Sequence, residues 1–435
     1  MLGAAAVAVL GTTAATSTAP SDGFTVSGRQ VQLTTASGSA PMLQPGLYKS
    51  TLPADDTVRY GSVTRSPGET LAVSVAGRPA SPDGRLNGDQ HLTVSLVTAG
   101  GDKCAENDSY LDEDDPTAPI VSTALLDGSE TKRSFYISDD CKSATRLRVE
   151  VSRKGSGGSS SPLPVEVLVT AEPRVTGKPK PAAAEADLTT LTAPSLHTTT
   201  TVDGGHGFSD APTVSEGSVL TDLRLGSATF FRVRVGWGQR LAVSLEAPRN
   251  GSSFAPPYDA STDITVWSPE RLSAGSSYGG DLSASSTIDK QDGEPQTSGS
   301  FTAPVRFANR DAESPSFGQL DTDEYQSASV AGWYYIEVLT QAGSDDEPAT
   351  SATPIPARLN VEVTGTAQSG PDYVAANGAA ISAPPPGRLS VGGDSSSVPW
   401  GRIGGGSAAV VLAGGACLWA LRARRRSART SPQHS

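Results

Sequence analysis

Phe230-Phe231-Arg232-Val233-Arg234-Val235 and, past a glycine turn, Trp237-Gly238-Gln239-Arg240-Leu241-Ala242-Val243-Ser244 decide how this chain is read. The first stretch alternates apolar and basic residues, the period of a strand with one face buried. A glycine turn then leads into a second apolar run, so the pair reads as two strands of a hairpin. An earlier stretch has the same form: Val58-Arg59-Tyr60-Gly61-Ser62-Val63, then Pro67-Gly68-Glu69-Thr70-Leu71-Ala72-Val73-Ser74. Both stretches end in the tetrapeptide Leu-Ala-Val-Ser.

The likeness continues outward. Ala40-Pro41, Pro45-Gly46 and Leu52 correspond to Ala211-Pro212, Glu216-Gly217 and Leu223. The offset is 171 residues at the start and 170 at the end, so one residue is lost between. The far ends match as well. Leu147-Arg148-Val149-Glu150-Val151 precedes Leu163-Pro164-Val165-Glu166-Val167-Leu168-Val169. In the second copy Tyr334-Tyr335-Ile336-Glu337-Val338 precedes Ile355-Pro356-Ala357-Arg358-Leu359-Asn360-Val361-Glu362-Val363. The expectation is an all-β chain of two tandem β-sandwich, jelly-roll-like domains, 24–175 and 206–367, each opened and closed by a hairpin.

Composition agrees with short strands joined by many turns: 46 Gly, 32 Pro and only 6% aromatic residues in 435. The formal charge of -12 excludes a phosphate-tracking surface, which needs a basic face, so no nucleic-acid partner is expected. Between the sandwiches, 176–205 reads as a linker that begins Gly177-Lys178-Pro179-Lys180-Pro181. After them, 368–401 is rich in Gly, Ser and Pro and reads as a stalk of ~32 Å as a coil, or up to ~100 Å if extended.

The ends speak of export. Residues 1–19 resemble a signal peptide, with an apolar run Leu2–Leu10 and the small residues Gly11, Ala14, Ala15 and Ala19. They lack its basic leader, which points to a start upstream of Met1 or to a weak signal. Ile403–Leu421 carries no charge, is long enough to span ~28 Å as a helix, and runs into Arg422, Arg424, Arg425 and Arg426. It predicts a single membrane helix, 403–421, followed by a basic cytoplasmic tail, 422–435, with the body outside. No sorting motif of the LPxTG kind precedes it, so the helix is read as the lasting anchor.

The second unit, on the residues Phe230–Val233 and Gly238–Val243, Asp263-Ile264-Thr265-Val266-Trp267-Ser268-Pro269 and Ala331-Gly332-Trp333-Tyr334-Tyr335-Ile336-Glu337-Val338, resembles the bacterial pre-peptidase C-terminal domain family. The first unit resembles it less, keeping Gly68-Glu69-Thr70-Leu71 and Leu92-Thr93-Val94-Ser95-Leu96 but lacking the aromatic closing strand. The resemblance implies a β-sandwich accessory module for binding, stabilising or targeting, without an active site of its own. No protease domain accompanies it on this chain.

Several constellations resemble sites of chemistry. Gly275-Ser276-Ser277-Tyr278-Gly279 fits GxSxG, but its flanks have loop composition where a nucleophile elbow needs a strand and a helix. Ser129-Glu130-Thr131-Lys132 fits SxxK without the motifs that accompany it. His91, His197, His206 and His434 make no metal-binding spacing and read as solvated loop residues. Asn107–Asp115 and Asp321-Thr322-Asp323-Glu324 read as solvated acidic loops; calcium at either stays open. Trp237, Trp333, Tyr334 and Tyr335 could form a sugar-stacking platform, although period-two strands send at least half of such residues inward. No catalytic residue, cofactor or metal is expected.

The three cysteines leave one pair. Cys417 lies in the membrane segment, and export places Cys104 and Cys141 in an oxidising compartment, so a disulfide between them is expected, tying down an acidic loop. The functional expectation is a non-catalytic, single-pass cell-surface protein displaying β-sandwich modules for adhesion, envelope organisation or support of a partner membrane protein. Its partner would be an envelope protein or surface ligand that the sequence does not name. The competing reading is a hydrolase on the secreted side, with a site assembled from residues that no motif links.

Overall fold

The computed structural model describes residues 23–79, 86, 88–112, 118–128, 137–156, 161–184, 200–246, 259–277, 285–288, 297–313, 322–342, 350–351, 353–374 and 380–381. The signal-like segment 1–19, the membrane segment 403–421 with Cys417, the tail 422–435 and most of the stalk lie outside these residues. So do His197, His434 and the SxxK stretch. Among the described residues no helix is long and apolar enough to cross a membrane.

Among the described residues the regular structure is mostly strand. The first copy contributes β1 (Arg29–Gln30), β2 (Gly46–Leu52), β3 (Arg59–Thr64), β4 (Thr70–Gly77) and β5 (Gln90–Val97). It continues with β6 (Lys103–Leu111), β7 (Ile120–Leu126), β8 (Arg146–Gly155) and β9 (Leu163–Glu172). After β10 (Arg174–Thr176) come β11 (Thr200–Thr201), β12 (Gly217–Leu223), β13 (Ser227–Val235), β14 (Arg240–Glu246) and β15 (Ala260–Trp267). The second copy ends with β16 (Gly275–Ser277), β17 (Ser285–Ile288), β18 (Thr297–Thr302), β19 (Gly332–Ala342) and β20 (Ile355–Thr364). β21 (Asp372–Val374) and β22 (Ala380–Ile381) follow. The described residues also include two short α-helices, α1 (Asp139–Ser143) and α2 (Thr322–Ser327), and 3-10 turns at Ser37–Ser39 and Phe307–Asp311.

Two sheet pairs share one strand order, except that the second carries an additional edge strand, β16. The first copy pairs the sheet β1-β2-β9-β4-β7 with β3-β8-β5-β6; the second pairs β11-β12-β20-β14-β18-β16 with β13-β19-β15-β17. Leu71–Ser74 on β4 and Leu241–Ser244 on β14 occupy the same place in their sheets, Val73 opposite Val169 and Val243 opposite Val361. Even the irregular contacts repeat. The bridges of Thr34 with Tyr60 and Met42 with Ser62 recur as Gly205 with Phe230 and Thr213 with Arg232. Gly46 and Gly217, which open β2 and β12, stand 171 apart, whereas Tyr60 and Phe230 stand 170 apart. The lost residue therefore falls in the connection from β2 to β3.

The expected hairpins do not form. β3 pairs with β8, while β4 pairs with β9 and β7, so the Pro67-Gly68 turn carries the chain from one sheet to the other. β8 and β9 likewise belong to opposite sheets, and the second copy repeats both crossings. Alternation tells which face of a strand is apolar; it does not name the partner strand. The turns are built alike. Glu69 N–H donates to Ser66 O at 3.0 Å and Gln239 N–H to Gly236 O at 3.1 Å, with Gly68 at φ 78° and Gly238 at φ 75° between them. Glycine is needed at this left-handed position of a type II turn. Glu69 and Gln239 also accept the N–H of Ser66 and Gly236 through their side chains, at 2.7 and 3.0 Å.

Each sheet pair closes on its own core. Leu71, Val73, Val75, Leu92, Val94, Val149, Val165 and Val167 fill the first; Val233, Leu241, Val243, Val266, Tyr334, Ile336 and Leu359 fill the second. β4 is buried along its whole length, which explains why its sequence, Thr70–Gly77, carries no charge and only small polar residues among apolar ones. Leu71, Val73 and Val75 point into the first core, and Ala76 enters a cluster shared with the second copy.

The linker and the start of the stalk are tied down. β10 pairs with β21, and Ala183 packs against Ala242, Phe301 and Tyr325, whose hydroxyl donates to Ala183 O at 2.6 Å. At the other end of the linker, β11 runs parallel to β12.

Cys104 and Cys141 form the expected disulfide, with Cα atoms 5.3 Å apart. The local structure differs from the expectation. Cys104 and the acidic residues Asn107–Leu111 belong to the edge strand β6, not to a loop, and Cys141 sits in α1, whose N-cap Ser138 accepts the Cys141 N–H. Arg65, 5% exposed, donates to the carbonyls of Cys141 at 2.7 Å, Lys142 at 2.8 Å and Ala144 at 3.1 Å. The bridge spans 37 residues, and by chain entropy a loop of that length contributes about 4 kcal/mol. The double variant C104S/C141S is expected to lose about that much in a urea titration, and the non-reduced protein should show no free thiol at either position.

Candidate functional site

The motifs that suggested chemistry are dispersed. Gly275–Ser277 forms the short strand β16 against β18, with no helix following among the described residues. His91 lies on β5, not in a loop, with Nδ1 3.4 Å from Asp108 and its ring 4.5 Å from that of Tyr110. His206 sits in a turn, its N–H donating to Asp210. Thr322, Asp323 and Glu324 open the helix α2 rather than a loop. Among the described residues no group of three or more His, Cys, Asp or Glu is placed to hold a metal ion. The four aromatics share no exposed face. Trp237 and Tyr334 belong to the second core, Tyr335 to the shared cluster, and half-buried Trp333 lies under Arg232 at 5.1 Å.

What the fold does bring together is charge, and it does so in the joint between the two sandwiches. Phe208 stands at its centre, with ring centroids of Phe230 and Tyr335 at 5.1 Å, Trp267 at 5.9 Å and Phe24 at 6.2 Å. Ala76 and Val121 meet this cluster from the first sandwich. Arg271 stacks its guanidinium 4.4 Å above Phe208 and donates to Glu166 of β9 at 2.5 Å; both side chains are completely buried. Glu166 also accepts Ser27 N–H at 2.9 Å, and Thr123 Oγ1 donates to Arg271 O at 3.0 Å. The turn that delivers Arg271 is closed by its N–H donating to Ser268 O, and it holds Arg271 at φ 63°. A left-handed arginine costs on the order of 1 kcal/mol.

A second charge cluster lies along the same joint. Arg310 donates to Glu172 at 2.7 Å and to Thr70 Oγ1 at 3.4 Å, lies 3.8 Å from Asp127, and packs on the Phe307 ring at 4.1 Å. Tyr373 of β21 donates to Glu172 at 2.6 Å, so the strand that follows the second sandwich closes on the first. Burial would lower the Arg310 pKa, but Glu172, Asp127 and Glu270 hold it above the ordinary arginine value. Burial pushes Glu270 up to about 7 against the opposing pull of Arg310. Glu337 of β19 is also pushed up to about 7 by burial, although it accepts the Trp267 indole N–H at 2.7 Å and faces Arg78.

The described residues also line a shallow cleft of about 200 Å³ between the linker, the β13–β14 turn and the segment 368–372. Two of its basic side chains serve the fold: Lys180 donates to Gln368 at 2.8 Å and Arg306 to the carbonyl of Ala182 at 3.2 Å.

Of the joint residues only Tyr335 and Trp333 stand out in the sequence, as aromatics; none of the charged ones does, although Glu166 and Glu337 carry a signal. Each is the lone charge in an apolar strand run, Leu163–Val169 and Tyr334–Val338. Such a charge is tolerated where a second layer covers the strand and supplies a partner.

No family model matches the chain, and no curated protein matches it. Among solved structures, it is similar to the tandem CBM22 domains of Xyn10C from Paenibacillus barcinonensis at 14% identity, over 73% of this chain and 86% of that one, with a TM-score of 0.19. A putative secreted protein from Parabacteroides distasonis matches at 7% identity over 74% and 89%, TM-score 0.16. The ANXUR2 extracellular domain from Arabidopsis thaliana matches at 9% identity over 74% and 85%, TM-score 0.19. Scores of this size carry no argument about function.

Removing Arg271 alone should be costly, because it strands Glu166 in the joint. R271M is expected to lose about 3–5 kcal/mol in urea, and the double variant E166M/R271M clearly less. Equal losses would mean that the pair is not coupled.

Proposed function

We propose that this protein is a non-catalytic, single-pass cell-surface protein whose two β-sandwiches form one stiff body held outside the membrane by the segment 403–421. In this reading it serves adhesion, envelope organisation or support of a partner membrane protein. The observation that supports it is where the buried charges are spent. Arg271, Glu166, Arg310, Glu172 and Asp127 bind one sandwich to the other, and do not converge on an open cleft as a catalytic constellation must. A body whose strongest polar interactions fix its own shape suits display and spacing. An accessory module of the pre-peptidase C-terminal kind, used in duplicate as a scaffold, fits the same reading.

The arginine-rich tail beyond Leu421 puts the C-terminus in the cytoplasm in this proposal. Protease added to intact cells should remove an epitope placed in the body and spare one placed at the C-terminus. Loss of both epitopes, or protection of both, would rule out the orientation.

A further inference from the structure

The sheet β3-β8-β5-β6 of the first sandwich has one face on its own core and the other open. On β6, Asn107 and Ser109 turn toward β7: Ser109 Oγ donates to Val121 O at 2.5 Å, and Asn107 O accepts from Ser122 Oγ at 2.8 Å. Glu106, Asp108 and Tyr110 therefore point outward, and Tyr110 is 46% exposed. The register sets them beside Ser95, Thr93 and His91 of β5, with Glu150, Ser152 and Lys154 of β8 beyond.

These outward groups hold one another in place. Thr93 Oγ1 donates to Asp108 at 2.9 Å, and His91 Nδ1 lies 3.4 Å from the same carboxylate. The ring centroids of His91 and Tyr110 are 4.5 Å apart, and Asp112 holds the Tyr110 hydroxyl. Ser95 Oγ donates to Glu106 at 2.7 Å and Arg148 to Glu150 at 2.6 Å. The carboxylates of Asp108, Glu106 and Glu150, 50%, 38% and 24% exposed, keep acceptor sites to spare. Charge on the face nearly cancels. Lys103, Arg146, Arg148 and Lys154 stand against these three carboxylates, with Asp89 and Asp112 at the Tyr110 edge.

The same place in the second copy is already a contact surface. Tyr60 opposite Glu150 corresponds to Phe230 opposite Glu337, and there Phe230 and Tyr335 are buried in the joint. The first copy leaves the face open and builds it from polar groups.

We propose that this open face binds a neutral polysaccharide, with Tyr110 stacking on the apolar side of a sugar ring and Asp108, Glu106 and Glu150 accepting from hydroxyls along the chain. Tyr110 and Glu150 are two strands and four residues apart, about 10 Å across and about 14 Å along. They form a strip and do not converge on one small molecule. A polyanion or polycation would meet like charge wherever it met opposite charge. A protein partner takes its affinity from apolar anchors sunk in pockets, and this strip offers one well-exposed aromatic ring. A polyhydroxylated chain uses what is there: the ring for stacking and the carboxylates for charge-assisted hydrogen bonds. Little ordering is needed, because the side chains are already held.

The proposal deepens the display reading by naming what the body adheres to, and it rests on the body lying outside the cell. Binding is read on purified protein, so its failure is distinct from a failure of the topology, which protease protection reports.

The test is affinity electrophoresis of the full chain in mild detergent, through native gels containing glucomannan, galactomannan, dextran or polygalacturonate. At least one neutral polymer should retard wild type. Y110A and D108A should each weaken that binding about tenfold, the loss of one such contact. L220S, at an exposed site on the second sandwich, should leave it unchanged. S152W, which fills the strip without removing any of these groups, should abolish it. Retardation by none of the neutral polymers, retardation that survives Y110A and S152W, or stronger retardation by polygalacturonate would overturn the proposal. Circular-dichroism melts check the folds; should D108A lose stability with its Thr93 and His91 contacts, Y110A and S152W decide.

Discussion

Arg271 and Glu166 meet with no water-accessible surface on either side chain. They come from different sandwiches, and 105 residues separate them. Two charges in that position depend on each other while the joint is closed, since losing either partner alone would strand the other away from water. The outward face of β9 and the turn after β15 are therefore committed to each other. The strained backbone of Arg271, the ring of Phe208 under its guanidinium and the Ser27 amide on Glu166 serve that commitment. Arg310 with Glu172 and Asp127 repeats the device further along the joint, and Tyr373 adds the strand beyond the second sandwich to it.

The joint also explains a difference between the two copies. Their strand orders are the same, β16 apart, yet they do not bury the same faces. In the first copy the sheet containing β4 and β9 turns its outer face to the joint; in the second it is the sheet containing β13 and β19 that does so. The copies thus share a strand order but are not packed as a symmetric pair. Contact residues such as Ala76 and Phe230 occupy non-equivalent strands. This accounts for Trp333 and Tyr335 in the closing strand of the second copy, where the first has Arg146 and Arg148. The second copy's strand packs Tyr335 into the joint, while Arg148 in the first remains partly exposed beside Glu150.

How much of this was legible in the sequence differs by level. The repeat was, because Leu-Ala-Val-Ser and its flanking turn report a local environment that both copies share. The disulfide was, because only one pair of cysteines could close. The hairpins were misread because Val58–Ser74 shows which residues face inward but not that the turn crosses between sheets. The acidic run Asn107–Leu111 was misread because an edge strand with one solvated side has the composition of a loop. Of its charged residues the joint left only the faint trace of Glu166 and Glu337 inside apolar strands. A charge pair 105 or 138 residues apart obeys no spacing rule, and its partner emerges only when the strands are assembled.

Differential scanning calorimetry tests the central claim, that the two sandwiches are one cooperative body, most directly. Near pH 6 the wild-type protein should melt in a single transition whose calorimetric and van't Hoff enthalpies agree for the whole two-sandwich body. Two resolved transitions, or a van't Hoff enthalpy near half the calorimetric one, would contradict it.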